Sequence, residues 1–231
     1  MSPLTFITGI LLATLMDIAS GIIITKCLSY ALDFRASLMD YGVGIFFSSF
    51  PDFDALIPLT KNFLHKLLPI TKKQTNKKMA HITEKLASTG EVDSSHRSNW
   101  THYPLVYLIP CSLLVIFSPF HSIQSFLCFF VHFVHDSWQS QDKKGLCCGI
   151  KWLAPLGENY YRVISKKYQG GKRQVLVTLK PQEAEAFFNY TVDEWLENMF
   201  FSREHGIRWT GENIAGLLAF TVAITIILLG Q

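Results

Sequence analysis

The run Phe130-Val131-His132-Phe133-Val134-His135-Asp136 sets three ionisable side chains inside an apolar stretch long enough to enter a lipid bilayer. On a helix, residues three and four apart share a face, so His132, His135 and Asp136 point the same way. Ionisable groups at membrane depth are costly and by default mark a functional site. Imidazole nitrogen with carboxylate oxygen is also a donor set that zinc, manganese or iron accepts. The plainer role is a mutual His132–Asp136 hydrogen bond that neutralises both groups inside a helix bundle.

The rest of the apolar sequence is also gathered into blocks. A helix needs about 20 apolar residues to cross a bilayer core. Leu4 to about Tyr30, Tyr103 to Trp138 and Gly211 to Gly230 are candidates, the second divisible into a hairpin at Ser118-Pro119. A shorter segment from Ala36 to Phe50 carries Asp40. With 49% hydrophobic and 17% charged residues and a mean hydropathy of +0.23, this pattern predicts an all-α, integral membrane helical bundle with cytoplasmic loops and a C-terminal transmembrane helix. The expected location is the inner or plasma membrane. A secretory signal is rejected, because no basic residue precedes the first apolar run, Asp17 interrupts it and no convincing small-residue cleavage site follows.

Two polar stretches separate the blocks. The one from Lys61 to Arg97 is rich in lysine, and the one from Gln139 to Glu212 opens with a basic section; the positive-inside tendency places both on the cytoplasmic side. Within the second, Gln174 to Leu179 reads as a short strand. After Pro181, Ala184, Phe187, Phe188, Val192, Trp195, Leu196 and Met199 recur at helical spacing. Cys27, Cys111, Cys128, Cys147 and Cys148 form no paired framework and read as free thiols. A net charge of +3 without a basic stripe interleaved by aromatics carries no nucleic-acid signature.

Two further polar clusters border the apolar blocks. Pro51-Asp52-Phe53-Asp54 puts two carboxylates where a helix would end; they repel unless a cation lies between them, although a turn or cap would use the same residues. In His96-Arg97-Ser98-Asn99-Trp100-Thr101-His102, the sequence Thr101 to Pro104 suits a helix start, so His102 would open the helix while His96 lies in the loop before it. Arg97 offers a planar fork for a phosphate or carboxylate. Asp17 is a separate intramembrane carboxylate whose partner is not legible.

These blocks, in this order, resemble the YdjM-like family of membrane-bound proteins predicted to be metal-dependent hydrolases. The similarity rests on Pro51-Asp52-Phe53-Asp54, on His96-Arg97-x-x-Thr101-His102, on His132-x-x-x-Asp136-Ser137 and on Gly149 to Pro155, and it covers roughly the first two thirds of the chain. It implies a helical membrane domain over residues 1–160, with Asp52, Asp54, His96, His102, His132 and Asp136 near a metal. Residues 161–210 would form a cytoplasmic amphipathic region and 211–231 the last transmembrane helix. One position departs: Phe6 stands where the family commonly has histidine, and phenylalanine cannot ligate. Either one ligand is dispensed with, or Asp17 or His135 substitutes, or hydrolysis has been lost.

The expected function is hydrolysis of a phosphoester at the membrane, with a divalent cation, zinc or manganese, held by Asp52, Asp54, His102, His132 and Asp136. His96 would be a ligand or move a proton, and Arg97 would hold the anionic group. Membrane lipid is the expected partner, and an anionic phosphoester the expected substrate. The alternatives are a non-catalytic protein with a structural metal or polar network, and an ion or proton relay through Asp17, Asp40, His132 and Asp136.

Overall fold

The computed structural model describes residues 3–53, 100–138, 149–165, 174–182, 201–202, 206–207 and 211–229. Asp54, His96, Arg97, the Lys61–Arg97 stretch, the Cys147–Cys148 pair and the helix expected after Pro181 lie outside them. Five helices carry most of the described structure: α1 (Pro3–Ala31), α2 (Leu38–Ser49), α3 (Pro104–Leu114), α4 (Pro119–Trp138) and α5 (Gly211–Leu229). Short 3-10 turns, Phe50–Asp52 and Trp100–His102, follow α2 and precede α3. Two small antiparallel pairs complete the order, β1 (Tyr160–Ser165) with β2 (Gln174–Leu179) and β3 (Phe201–Ser202) with β4 (Gly206–Ile207).

Local sequence explains the helix ends. Asp33, at φ +52°, takes the left-handed conformation just beyond α1. Ser37 then opens α2 with a capping box, its hydroxyl accepting from the Asp40 backbone amide while the Asp40 carboxylate accepts from the Ser37 amide at 2.7 Å. Pro104 occupies the first turn of α3, and Ser118 accepts from the His121 amide ahead of α4.

α1 packs against α2, α4 and α5, while α4 also packs on α2 and α3. Two cores result. Ala19, Ile22 and Ala223 join α1 to α5, with Tyr41 and Ile45 of α2 against them. Tyr107, Cys111, Phe129, Phe133 and Ile150 join α3, α4 and the segment before β1, with Phe47, Phe50 and Trp152 at the margin. That second core lies directly beside the polar residues of α4. Ile150 is bridged to Tyr161, and Trp152 donates to Ser137 Oγ at 2.8 Å, so the β1 segment is fastened to the end of α4.

The helices stand where the apolar blocks predict them, and the break at Ser118-Pro119 and the strand at Gln174–Leu179 are present. The membrane reading is overturned. Among the described residues no helix is long and apolar enough to cross a membrane, so neither the integral membrane bundle, nor its C-terminal transmembrane helix, nor the inner- or plasma-membrane location stands. The physical reasons differ by helix. α1 is long at 29 residues but carries Asp17 and Lys26, and α3 has only 11 residues. α4 is interrupted by His121, Gln124, His132, His135 and Asp136. The described residues are mostly helical, with two short antiparallel strand pairs beside the helices.

Asp40 supplies a test of this local architecture. Its carboxylate also contacts His121 Nε2 at 2.9 Å, tying the start of α2 to α4. Burial pushes the carboxyl pKa up, but the hydrogen bonds from Ser37 and His121 outweigh it and leave the pKa below its ordinary value. A depressed carboxylate stabilises the fold above its unfolded pKa of about 3.9 and loses that contribution as pH falls. Asp40→Ala is therefore expected to cost about 1 kcal/mol at pH 7, as capping residues do, with the gap from the parent protein narrowing as pH falls below the unfolded pKa of about 3.9. Urea unfolding of both proteins across this pH range reads this directly.

Candidate metal centre

Three separate stretches of chain deliver the candidate ligands. Asp52 ends the 3-10 turn that Pro51 helps start after α2, His102 ends the 3-10 turn before α3, and His132 and Asp136 occupy successive turns of α4. The helical period puts the last two on one face, as the sequence predicts. Thr101 Oγ1 lies 3.3 Å from His102 Nδ1, and Tyr107 donates to the Thr101 carbonyl at 2.7 Å, so the first turn of α3 fixes the His102 ring from behind. Phe133 packs edge-on to His132 and against His102.

The inward-facing atoms converge. His102 Nε2 lies 3.2 Å from Asp52 Oδ1 and 3.5 Å from Asp136 Oδ2, and His132 Nε2 lies 3.6 Å and 3.4 Å from the same two oxygens. One ligand atom from each of the four residues falls within 4.8 Å of every other. Donors about 2.0–2.1 Å from a tetrahedral cation are separated by roughly 3.3 Å, so these spacings suit a shared ion. His132 Nε2 adds a second indication, being buried without a hydrogen bond. The group could hold a metal ion. His102, His132 and Asp136 are buried, whereas 40% of the Asp52 side chain is exposed, so the cluster is reached from the Asp52 side.

The field within the cluster follows from its composition. Burial opposes charge on His132, but the carboxylates of Asp17, Asp136 and Asp52 prevail and raise its pKa well above 6.5. Around Asp52, desolvation raises the carboxyl pKa, while the charge of His132 and the hydrogen bond from His102 overcome it and hold the value at about 2. A protonated His132 can thus balance the surrounding carboxylates when no cation does so. A raised imidazole pKa gives stability that is complete below the unfolded value of about 6.5 and is lost as pH climbs through the folded value. Chelator-treated protein is accordingly expected to lose stability above about pH 6.5, by at most roughly 1.4 kcal/mol per pH unit from this group. Zinc-loaded protein should gain stability over the same range, because ligand imidazoles must shed their protons. Thermal melts from pH 6 to pH 9 with and without zinc would reveal slopes of opposite sign.

Of the residues singled out from sequence, Asp52, His102, His132 and Asp136 meet; Asp54, His96 and Arg97 fall outside the described residues. His135 is not among the four. Asp17 has a partner that sequence did not disclose, with its Oδ1 3.0 Å from His132 Nδ1. The pairing joins α1 to α4 across 115 positions, beyond the reach of any local spacing rule. Asp40, the further member of the ion or proton relay, caps the start of α2 and pairs with His121.

No protein-family model, curated protein or solved structure matches the chain.

Proposed function

We propose that the chain is a metal-dependent hydrolase of phosphoesters, holding one divalent cation, zinc or manganese, through Asp52, His102, His132 and Asp136. The observation that carries this reading is the meeting of four suitable donor atoms from three stretches of chain, with one side accessible beside Asp52. A metal in such a place lowers the pKa of bound water towards about 7 and stabilises charge on the attacked ester. The chain's own part is to bind and orient: Thr101 and Tyr107 hold His102, the turn after α2 presents Asp52, and α4 sets the spacing of His132 and Asp136. Asp54, His96 and Arg97 retain in this proposal the roles of further ligand, proton carrier and anion holder, and the likeness to the YdjM-like hydrolases is taken to reflect the same site. A lipid headgroup is one source of a suitable phosphoester.

A second reading has its own support. Four protein donors saturate a tetrahedral zinc, and structural zinc sites are closed in that way. The two readings part on a single series of measurements: metal content of the purified chain, then turnover of phosphomonoester and phosphodiester substrates after reloading with zinc or manganese. Stoichiometric metal with metal-dependent turnover supports the hydrolase. Tightly held metal without turnover of either substrate class leaves the structural role, and no metal binding removes both.

A further inference from the structure

We infer that Asp17 is the positioning residue of this centre: it holds the His132 ring with a proton on Nδ1 and so directs Nε2 toward Asp52 and Asp136. The inference deepens the metal-site reading above and rests on it for its consequences, but the hydrogen bond itself can be tested without a metal.

The argument begins with placement. Asp17 lies in α1, and its residue is only 5% exposed. A carboxylate taken from water needs a charged or hydrogen-bonding partner, and His132 supplies one at 3.0 Å. An ionised carboxylate can only accept, so in the inferred pair Nδ1 is the donor. An imidazole whose Nδ1 carries the proton has its other lone pair on Nε2. That nitrogen lies 3.4 Å from Asp136 Oδ2 and 3.6 Å from Asp52 Oδ1, without a hydrogen bond of its own.

The same geometry excludes Asp17 as a fifth ligand through this oxygen. Asp17 Oδ1 faces the ring edge that carries Nδ1, whereas the shared space lies beyond Nε2. Its effect on a cation therefore passes through the ring. A carboxylate behind a ligating imidazole fixes the ring's orientation and makes the opposite nitrogen more basic, and loss of such a partner typically weakens metal binding 10–100-fold. α1 contributes no donor to the four-residue group, so its contact with the site is through Asp17 and the His132 ring.

The test uses the full chain and zinc itself, in competition with a chelator. Asp17→Ala is expected to bind zinc about 10–100-fold more weakly than the parent protein, and Asp17→Asn, which keeps the volume but not the charge, about 10-fold more weakly. Combined with His132→Ala, Asp17→Ala should add no further loss, because the carboxylate acts through that ring. A merely structural role would add its own penalty in the double variant. In chelator-treated protein, nitrogen-resolved NMR should place a slowly exchanging ring proton on His132 Nδ1, and Asp17→Ala should abolish its protection.

Should Asp17→Ala not fold, Asp17→Asn carries the affinity comparison. Unchanged zinc affinity in whichever of the two variants folds, or no protected proton on His132 Nδ1 in the parent protein, would overturn the inference while leaving the metal site standing. A parent protein that kept the protected Nδ1 proton but bound no zinc would instead overturn the metal-site reading and uphold the pairing of Asp17 with His132.

Discussion

Replacing His132 with alanine is expected to take the metal content of the purified protein from near one ion per chain to near none, and to destabilise the fold as well. Both effects follow from one location. The His132 ring touches Asp17 through Nδ1 at 3.0 Å and faces Asp52 and Asp136 through Nε2, so it separates three carboxylates contributed by α1, the turn after α2, and α4. Without the imidazole, a bound cation would lose one of two nitrogen donors, and Asp17 loses the side chain it pairs with at 3.0 Å. Breaking a buried ion pair on one side commonly costs 3–5 kcal/mol, since the remaining charge stays where water cannot reach it. Added zinc should fail to restore the melting temperature. Asp52→Asn is the instructive contrast: its carboxylate is partly exposed, so loss of metal affinity should come with a smaller loss of stability. Elemental analysis and urea unfolding of both variants decide the matter, and equal metal content in His132→Ala and the parent would remove His132 from the centre.

Periodicity and local chemistry made much of this arrangement legible in advance. His132 and Asp136 are four apart on a helix whose apolar pattern is plain, so their shared face follows from the sequence alone. Ser118-Pro119 marked a helix start, and Asp52 and His102 border apolar blocks that became helices. What sequence did not convey is which residues meet across the fold. Nothing local to Asp17 announces His132, and nothing near Asp40 announces His121. The membrane assignment failed for a related reason. Counting apolar residues passes over the polar ones set among them, and here Asp17, Thr25 and Ser29 of α1 and Gln124, Ser125 and His132 of α4 are buried among neighbouring helices. Gln124 shows how they are accommodated, since its amide donates to Thr25 Oγ1 at 2.6 Å and to the Asp40 carbonyl at 2.8 Å. Polar residues in these helices join them to one another.

That junction is also where a small substitution should do most harm to the fold. Gly44→Ala is expected to destabilise the protein by about 1–2 kcal/mol even though alanine is the better helix former. On propensity alone the change would stabilise α2 by ~1 kcal/mol. A Cβ at position 44, however, would meet Thr25 Oγ1, would lie 2.7 Å from the Gly21 carbonyl oxygen and 2.9 Å from Gln124 Nε2, all closer than ordinary contact. Two of these atoms are held by hydrogen bonds and the third is backbone of α1, so none can yield cheaply. Gly21 faces Gly44 from the other helix with the same lack of space, its own added Cβ meeting the Gly44 carbonyl at 2.6 Å. Overpacking of a tight contact costs roughly 1–3 kcal/mol, and with helix axes pressed this close the upper part of that range should outweigh the propensity gain. Gly42→Ala is the matched control, two residues away on the same helix with nothing near its added Cβ, and it should stabilise by about 0.5–1 kcal/mol. The consequence reaches the candidate metal site, because α1 and the turn after α2 bring Asp17 and Asp52 to opposite edges of the His132 ring. Forcing the two helices apart at Gly44 should draw Asp17 away from His132, so Gly44→Ala should weaken zinc binding while Gly42→Ala leaves it unchanged. Equal unfolding free energies for the two alanine variants would show that the helices do not meet at Gly21 and Gly44 as described.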